Sequence, residues 1–486
     1  MEIDTLLTHI LYPLSDSERD LIKSAYTFSE EKHRGQTRNS GEPYMTHALA
    51  VAQNCVELGM DIETIVAALL HDVLEDTETT EEEIENRFGA NILFLVKGVT
   101  KLGKVKYRGQ ERHVESMRKF FVAMAEDVRV LIIKLADRLH NVSTLSHVRP
   151  DKQKRIALET IEVHAALAGR MGMEKLKGKL EDYAFPYAYP KEYAATKKIM
   201  DAIVPEAQKV VASVHTVVQK TLNDFDLKNA EVHSRVKHTY STYRKLHKYN
   251  MNAEQVYDIV ALRIITDSIT NCYQILGLIH MLWKPIPKRI KDYIALPKAN
   301  GYQSLHTTVI TDEGIVEIQI RTHEMHREAE LGIASHFLYK ETTAGKGPIP
   351  SKKLAWLDEL KELHAVVKNP SRFIEQLRMD FFKDRIFVFS PKGDVIDLPQ
   401  DATPIDFAYA VHSELGQATS SAHINGKMAP LSAKLQNGDI IEIITNKNAK
   451  PTSKWLDYAK TNLARRKIRS YIAEHGGLFE KFLTRE

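Results

Sequence analysis

Cysteine is almost missing from this chain. Only Cys55 and Cys272 occur, far apart. That excludes a disulfide framework and any zinc site built from cysteine alone within these residues, and it suits a reducing, cytoplasmic setting. No apolar run reaches the roughly 18 residues that a membrane-spanning helix needs. The opening residues Met1-Glu2-Ile3-Asp4-Thr5 carry neither a basic stretch nor a long apolar one, so no secretory signal is expected. Charge of one sign is not in surplus either: 67 Lys and Arg stand against 64 Asp and Glu. Nucleic-acid binding would therefore have to come from local patches. No Gly-x-x-x-x-Gly-Lys-Ser/Thr string is present, which excludes a P-loop, and there is no internal repeat.

What is present suffices for several cores. A length of 486 residues suggests about three domains at roughly 150 residues each. Glu63–Leu70, Asn91–Val99 and Val128–Leu139 are compact and apolar, with breaks at Ser40-Gly41-Glu42-Pro43, Arg87-Phe88-Gly89 and Arg149-Pro150-Asp151. β-branched runs are scarce there, so an all-helical domain is expected over 1–190, its end marked by Pro186 and Pro190. From 200 to 340 the texture alternates. Gln255–Thr266, Thr307–Ile310 and Ile315–Arg321 read as strands, and Cys272–Leu282 and Glu324–Tyr339 as helices, which indicates an α/β domain. The stretch 341–383 reads as a linker followed by a helix containing Trp356 and Leu357. Over 384–446, short strands with Pro-Lys-Gly-Asp and Asn-Gly turns and one helix near Ile405–Leu415 indicate a small β-rich module. The segment 447–486 looks helical and basic.

Two clusters carry chemistry. In the first, the apolar run ending at Leu70 is followed by His71, Asp72, Glu75 and Asp76. On a helix, His71 and Glu75 share one face, as do Asp72 and Asp76. His47 and Asp137 stand elsewhere in the same domain, the latter within Lys134-Leu-Ala-Asp-Arg-Leu-His-Asn141. Two imidazoles and two carboxylates suit Mn²⁺, Fe²⁺ or Mg²⁺ better than a structural Zn²⁺. Four protein ligands leave positions open for water and a phosphate oxygen, the arrangement that phosphoester hydrolysis needs. Glu75 or Asp76 is then placed to orient or deprotonate the water.

The second cluster is basic. Lys228–Asn300 holds 12 Lys and Arg against 5 Asp and Glu. Arg235, Lys237, Ser241 and Lys245 are closely spaced, and a helix from about Thr239 aligns Ser241 with Lys245 at i, i+4. Such cations suit a triphosphate. A glycine-containing loop, Pro297-Lys298-Ala-Asn300-Gly-Tyr302-Gln-Ser-Leu-His306, offers an aromatic ring that can stack on a base. Asp258 and Glu317 stand out as acids on strands beside this cradle, where they could hold Mg²⁺ or accept a hydroxyl proton. An RNA-contacting face is the other reading of the same charges.

Together these strings resemble the RelA/SpoT homologue family of alarmone enzymes. His33-Arg-Gly-Gln-Thr-Arg38, Ser40-Gly-Glu-Pro-Tyr44, His71-Asp72, Glu75-Asp76 and Lys134–Asn141 look like its helical HD-type hydrolase domain. Lys291-Asp-Tyr-Ile-Ala, Asn300-Gly-Tyr-Gln-Ser-Leu-His-Thr307 and Glu317-Ile-Gln-Ile-Arg-Thr322 look like its synthetase domain, a mixed-sheet α/β, nucleotidyltransferase-like fold. Asp406-Phe-Ala-Tyr-Ala-Val-His412 and Leu435-Gln-Asn-Gly-Asp439 look like its β-grasp-like TGS domain. The resemblance implies a bifunctional enzyme of the stringent response. One site would hydrolyse (p)ppGpp to GDP or GTP and pyrophosphate. The other would transfer pyrophosphate from ATP to the 3′-hydroxyl of GDP or GTP. It further implies Mn²⁺ on His47, His71, Asp72 and Asp137, water handled by Glu75 and Asp76, and alarmone held by Arg38, Asn141 and Thr144. In the synthetase it implies ATP on Arg235, Lys237 and Lys245, Mg²⁺ on Asp258 and Glu317, and activation of the hydroxyl by Glu317. Tyr302 would stack on guanine, while Lys291, Lys298, Asn300 and His306 would face phosphates or sugar. The Arg289-x-Lys291-Asp292 pattern resembles bifunctional members.

Some positions depart from the family pattern. Asn39 stands where a Lys usually follows Arg38, Ala48 replaces a Pro, and Val142-Ser143 replaces Met-Arg. The chain is expected to be a C-terminally shortened member, stopping after the TGS domain and the start of a helical region. A hydrolase with a silent synthetase, and a ribosome- or tRNA-binding regulator using the TGS module, His412 and the basic tail, are the competing readings. Reciprocal control of two sites is expected, with the helices at 184–200 and 320–340 as couplers.

Overall fold

A computed structural model of the chain describes residues 2–100, 123–337 and 385–475, apart from positions 125, 254, 255, 257, 299, 437 and 447. The expected linker and helix at 341–383 lie outside the described residues. The chain divides into two compact units, residues 1–366 and 367–486.

The first unit opens all-helical, as its apolar periodicity requires. The helix Asp16–Lys32 starts at a capping box formed by Ser15 and Glu18, which satisfies two otherwise orphaned backbone donors. Ile62–Leu70 is capped by Asp61 and is buried along its whole apolar length except Glu63. An all-round apolar helix belongs in a core, and it packs between Asp16–Lys32, Met45–Glu57 and Arg129–Ser143. This helix ends at Leu70, and a separate short helix, Val73–Asp76, follows with Asp72 as its N-cap. The turn Thr160–Ala165 is π-helical. Pro186 does not end the domain's last helix, which runs Glu174–Ala188 through it. Pro190 instead occupies the first turn of a 35-residue helix, Pro190–Asp224, where its missing N–H costs nothing.

The rest of this unit is built on a six-stranded mixed sheet with helices against it. Its strands are β1 (Glu231–Val236), β2 (Val260–Thr266), β3 (Lys284–Pro285), β4 (Lys291–Asp292), β5 (Leu305–Thr311) and β6 (Gly314–Thr322). The order is β1-β2-β6-β5-β3, with β4 on β5. Only β2 and β6 run parallel; the other pairs are antiparallel. Strand β1 was not evident in the sequence, because Glu231-Val-His-Ser-Arg-Val236 has one buried apolar position. Val316, Ile318 and Ile320 of β6 join Leu262, Ile264, Leu305 and Val309 in one apolar core, against Cys272, Ile275 and Ile279 of the helix Ile269–Leu282. By alternation, Glu317, Gln319 and Arg321 fall on the opposite face.

Within this unit the helical part meets the sheet part closely. Gly332 follows the helix His323–Leu331 at φ +58°, and a Cβ there would lie 2.2 Å from the Met171 carbonyl oxygen. Asp182 accepts a hydrogen bond from the backbone N–H of Tyr240 (3.0 Å) and pairs with His238 Nδ1 at 2.7 Å.

The second unit is β-rich. A hairpin of β7 (Arg385–Phe389) and β8 (Val395–Pro399) and a three-stranded sheet of β9 (Thr419–Ile424), β10 (Lys427–Ala429) and β11 (Ile441–Thr445) flank the helix Pro404–Val411. Buried Asp406 caps that helix and also accepts the backbone N–H groups of Lys460 and Thr461. The tail helix Asn462–His475 is thereby fixed to the module, and packs Ala464, Ile468 and Ile472 on Ile405 and Tyr409.

Candidate active sites

The helical part brings its expected ligands together. His47 comes from the helix Met45–Glu57, His71 from the C-cap of Ile62–Leu70, and Asp137 from Arg129–Ser143. All three are buried, with ligand atoms within 4.8 Å of one another. Asp72 Oδ2 lies 3.0 Å from His71 Nε2 and 3.5 Å from His47 Nε2. His71 Nδ1 is 2.8 Å from the Ala68 carbonyl oxygen. A carbonyl only accepts, so Nδ1 carries a proton, and Nε2 is the nitrogen turned toward Asp72 and the ligand cluster. That Nε2 is buried without a well-formed hydrogen bond. Buried polar atoms are normally satisfied, so the donor set fits a divalent cation. Burial opposes ionisation of both carboxylates. His71 and His47 beside Asp72, and Lys134 with the two histidines beside Asp137, still hold both well below the usual carboxylate range.

Around these ligands lie residues that sequence reading did not single out. Lys134 Nζ reaches Asp137 Oδ2 at 2.7 Å. His140 Nδ1 lies 2.9 Å from His47 Nδ1; burial and the neighbouring His47 and Arg38 push its pKa down to about 4, so it is neutral. The Tyr44 hydroxyl lies 2.5 Å from Asp72 Oδ2 and 2.8 Å from Asp76 Oδ2, with His33 stacked on its ring at 4.5 Å. Glu75 is partly buried on the separate helix Val73–Asp76, so His71 and Glu75 do not share the face of one continuous helix as the spacing predicts. Arg38 Nη2 donates to Asn141 Oδ1 at 2.8 Å, and Asn141 in turn donates to Asp137. Thr144 spends its hydroxyl on the His140 carbonyl at the helix end.

The second site lies on the polar face of the sheet. Asp258 stands just ahead of β2. Its Oδ2 receives Lys237 Nζ at 2.6 Å and also Lys245 Nζ, while Oδ1 is buried with no partner among the described residues. An orphaned carboxylate oxygen beside two cations fits a divalent ion as well. Burial opposes the charge of Asp258, and the two lysines more than offset it. Arg235 and Glu317 are both in register with Ala261, on either side of it. Glu317 Oε1 takes Gln319 Nε2 at 3.0 Å and lies 3.4 Å from His306 Nδ1. Against burial, these contacts bring its pKa down to about 2. His306 Nε2 is 2.8 Å from the Tyr302 hydroxyl, and Lys291 pairs with His306 across β4 and β5. Lys298 Nζ sits 4.8 Å from the centres of both the Tyr293 and Tyr302 rings. Ser241 lies one turn before Lys245 on Thr239–Lys248. Asn300 turns its amide nitrogen toward Gly169 and Glu174, 3.4 Å from each.

Gln319, Arg263 and Arg321 were also missed. The last two are largely buried and share Glu330, at 3.1 and 3.3 Å. The period-two alternation of Ile315–Arg321 was the signal that could have found Gln319 and Arg321, since it puts both on the face of Glu317.

Comparison with known proteins follows the same divisions. Residues 25–174 match the family described as HD domain, 234–344 the region found in RelA / SpoT proteins, and 386–445 the TGS domain. The guanosine-3′,5′-bis(diphosphate) 3′-pyrophosphohydrolase of Aquifex aeolicus is 47% identical over 97% of this chain and 66% of its own length. The chain belongs to the RelA/SpoT family. Two further relatives frame its range. The GTP pyrophosphokinase of Myxococcus xanthus is 45% identical over 94% of the chain and 61% of its own, and the bifunctional (p)ppGpp synthase/hydrolase SpoT of Escherichia coli is 42% identical over 94% and 66%. This RelA/SpoT chain thus spans about two thirds or less of the curated relatives it matches. Its HD region and its region found in RelA / SpoT proteins both imply the use of divalent metal. No helix among the described residues is long and apolar enough to cross a membrane.

Proposed function

We propose that the chain both removes and adds pyrophosphate at the 3′ position of guanine nucleotides, in two separate sites. The observation that supports this reading is that both clusters of charged side chains occur in one chain. His47, His71, Asp72 and Asp137 converge in the helical part, and Asp258 and Glu317 sit among Lys237, Lys245, His306 and Tyr302 on the sheet. A vestigial regulator has no reason to keep two sets of buried charges, which are costly unless used.

At the hydrolytic site, we assign His47, His71, Asp72 and Asp137 as ligands of Mn²⁺, which when bound supplies Lewis acidity toward a phosphate oxygen. Glu75 and Asp76 position the attacking water and take its proton, and Tyr44 holds Asp76 and Asp72 in register. Arg38, released from Asn141, holds the alarmone with Asn141 and Thr144. The products are GDP or GTP and pyrophosphate.

At the synthetic site, Arg235, Lys237, Ser241 and Lys245 hold the ATP phosphates, and Asp258 and Glu317 hold Mg²⁺, which neutralises charge on the transferred group. Glu317, already ionised, accepts the proton of the 3′-hydroxyl. Tyr302 stacks on guanine, and Lys291, Lys298, Asn300 and His306 face phosphates and sugar. For the 385–475 unit, contact with tRNA, ribosome or a carrier protein is the proposed role; exposed His412 and the basic run Arg465, Arg466, Lys467 and Arg469 support it.

Anion-exchange chromatography of two reactions tests the reading: ppGpp with Mn²⁺, and ATP with GDP and Mg²⁺. Turnover in both is expected. Turnover only in the first would leave a hydrolase with a silent synthetase, and silence in both would overturn the enzymatic reading.

A further inference from the structure

We propose that Gln319 determines specificity at the pyrophosphate-transfer site, its amide oxygen accepting a hydrogen bond from the 2′-hydroxyl of the acceptor ribose while Glu317 addresses the 3′-hydroxyl. This rests on the synthetic activity proposed above.

Gln319 occupies the middle of the sheet's polar face. It pairs in register with Arg263 on one side and His306 on the other, and is 6% exposed. Its Nε2 donates to Glu317 Oε1. That contact fixes the amide's orientation, because a flipped amide would set its oxygen against a carboxylate oxygen. The Gln319 Oε1 that results is buried and has no hydrogen-bond partner among the described residues.

Among the described residues none donates to it, although Arg263, its neighbour across the sheet, also keeps a buried Nε without a partner. His306 turns Nδ1 toward Glu317 and Nε2 toward the Tyr302 hydroxyl. Arg263 directs Nη1 to Glu330. A buried acceptor held in one orientation beside a carboxylate matches a ligand presenting two adjacent hydroxyls. A ribose cis-diol does so: the reacting hydroxyl meets an ionised acid, and its neighbour meets a neutral acceptor that cannot take its proton. A site built to bond a hydroxyl discriminates against the analogue lacking it, because its polar group is left unpaired.

The test compares kcat/KM for GDP and 2′-deoxyGDP, with ATP and Mg²⁺, in the full chain and in Gln319→Met. The unmodified chain should prefer GDP by roughly 10- to 100-fold. Gln319→Met should bring the ratio close to one; because it also removes the Nε2 hydrogen bond to Glu317, turnover of both nucleotides falls, and the ratio rather than either rate is the readout. Hydrolysis of ppGpp by the same preparation reports that the variant is folded. If Gln319→Met loses synthesis altogether, the ratio is read instead from calorimetric binding of the two nucleotides. A ratio near one in the unmodified chain, or a preserved preference in Gln319→Met, overturns the proposal. Absence of any product from GDP in the unmodified chain would overturn the synthetic reading itself, a distinguishable failure.

Discussion

Lys134 Nζ lies 2.7 Å from Oδ2 of Asp137, whereas Oδ1 of the same carboxylate faces His47 at 3.3 Å. The lysine thus fixes which oxygen points at the histidines. Lys134→Met should weaken Mn²⁺ binding by roughly 10- to 100-fold, the usual cost of losing a group that orients a metal ligand. Isothermal titration with Mn²⁺ checks this, and synthesis from ATP and GDP should stay unchanged.

Asp72 and Glu317 belong to different sites, so their losses should separate. Asp72→Ala is expected to abolish ppGpp hydrolysis and spare synthesis; Glu317→Ala should do the reverse. Each effect should exceed about 100-fold, since each removes a proposed ligand or base rather than a supporting contact. Loss of both activities in either variant would mean that the two-site assignment is wrong or that the fold has collapsed.

Acid should destabilise the helical part through His164. Burial, then the nearby Arg138, bring its pKa down to about 3 from 6.5. Between those values the unfolded chain binds a proton that the folded chain does not, so stability rises with pH across this window. It is fully present above pH 6.5 and declines as pH falls toward 3. His164→Leu should flatten that slope, as read from urea midpoints at a series of pH values.

Gly332 should tolerate no side chain. Its φ of +58° disfavours L-residues, and an added Cβ would meet the Met171 carbonyl oxygen at 2.2 Å and the Gly172 carbonyl carbon at 2.6 Å. Gly332→Ala should cost about 3 kcal/mol, visible as a lowered thermal midpoint. An unchanged midpoint would show that this contact is not made in solution.

Much of this was legible because the chemistry is local in sequence. His71-Asp72 and Glu75-Asp76 follow one apolar run, and Lys134–Asn141 is a contiguous string. The helical part carries a helical apolar period and few β-branched runs, whereas the two later parts carry strands, alternating with helices in one and separated by tight turns in the other, so the fold class could be read directly. Strand β1 could not, because an edge strand with one buried apolar residue carries no alternation to detect. Pro186 misled for a related reason: a helix held by tertiary packing can carry a proline that its local propensity opposes.

By itself, then, the sequence determined the residue types at both centres, the helical and strand textures around them, and the kinship those strings carry. Tertiary structure decided which atoms are used. Only folding reveals that Lys134 takes one oxygen of Asp137, that Tyr44 spans Asp72 and Asp76, and that Oδ1 of Asp258 and Oε1 of Gln319 are buried without partners among the described residues. The physical reason is that periodicity fixes the face on which a side chain lies, whereas hydrogen-bond satisfaction depends on atoms brought together from distant segments.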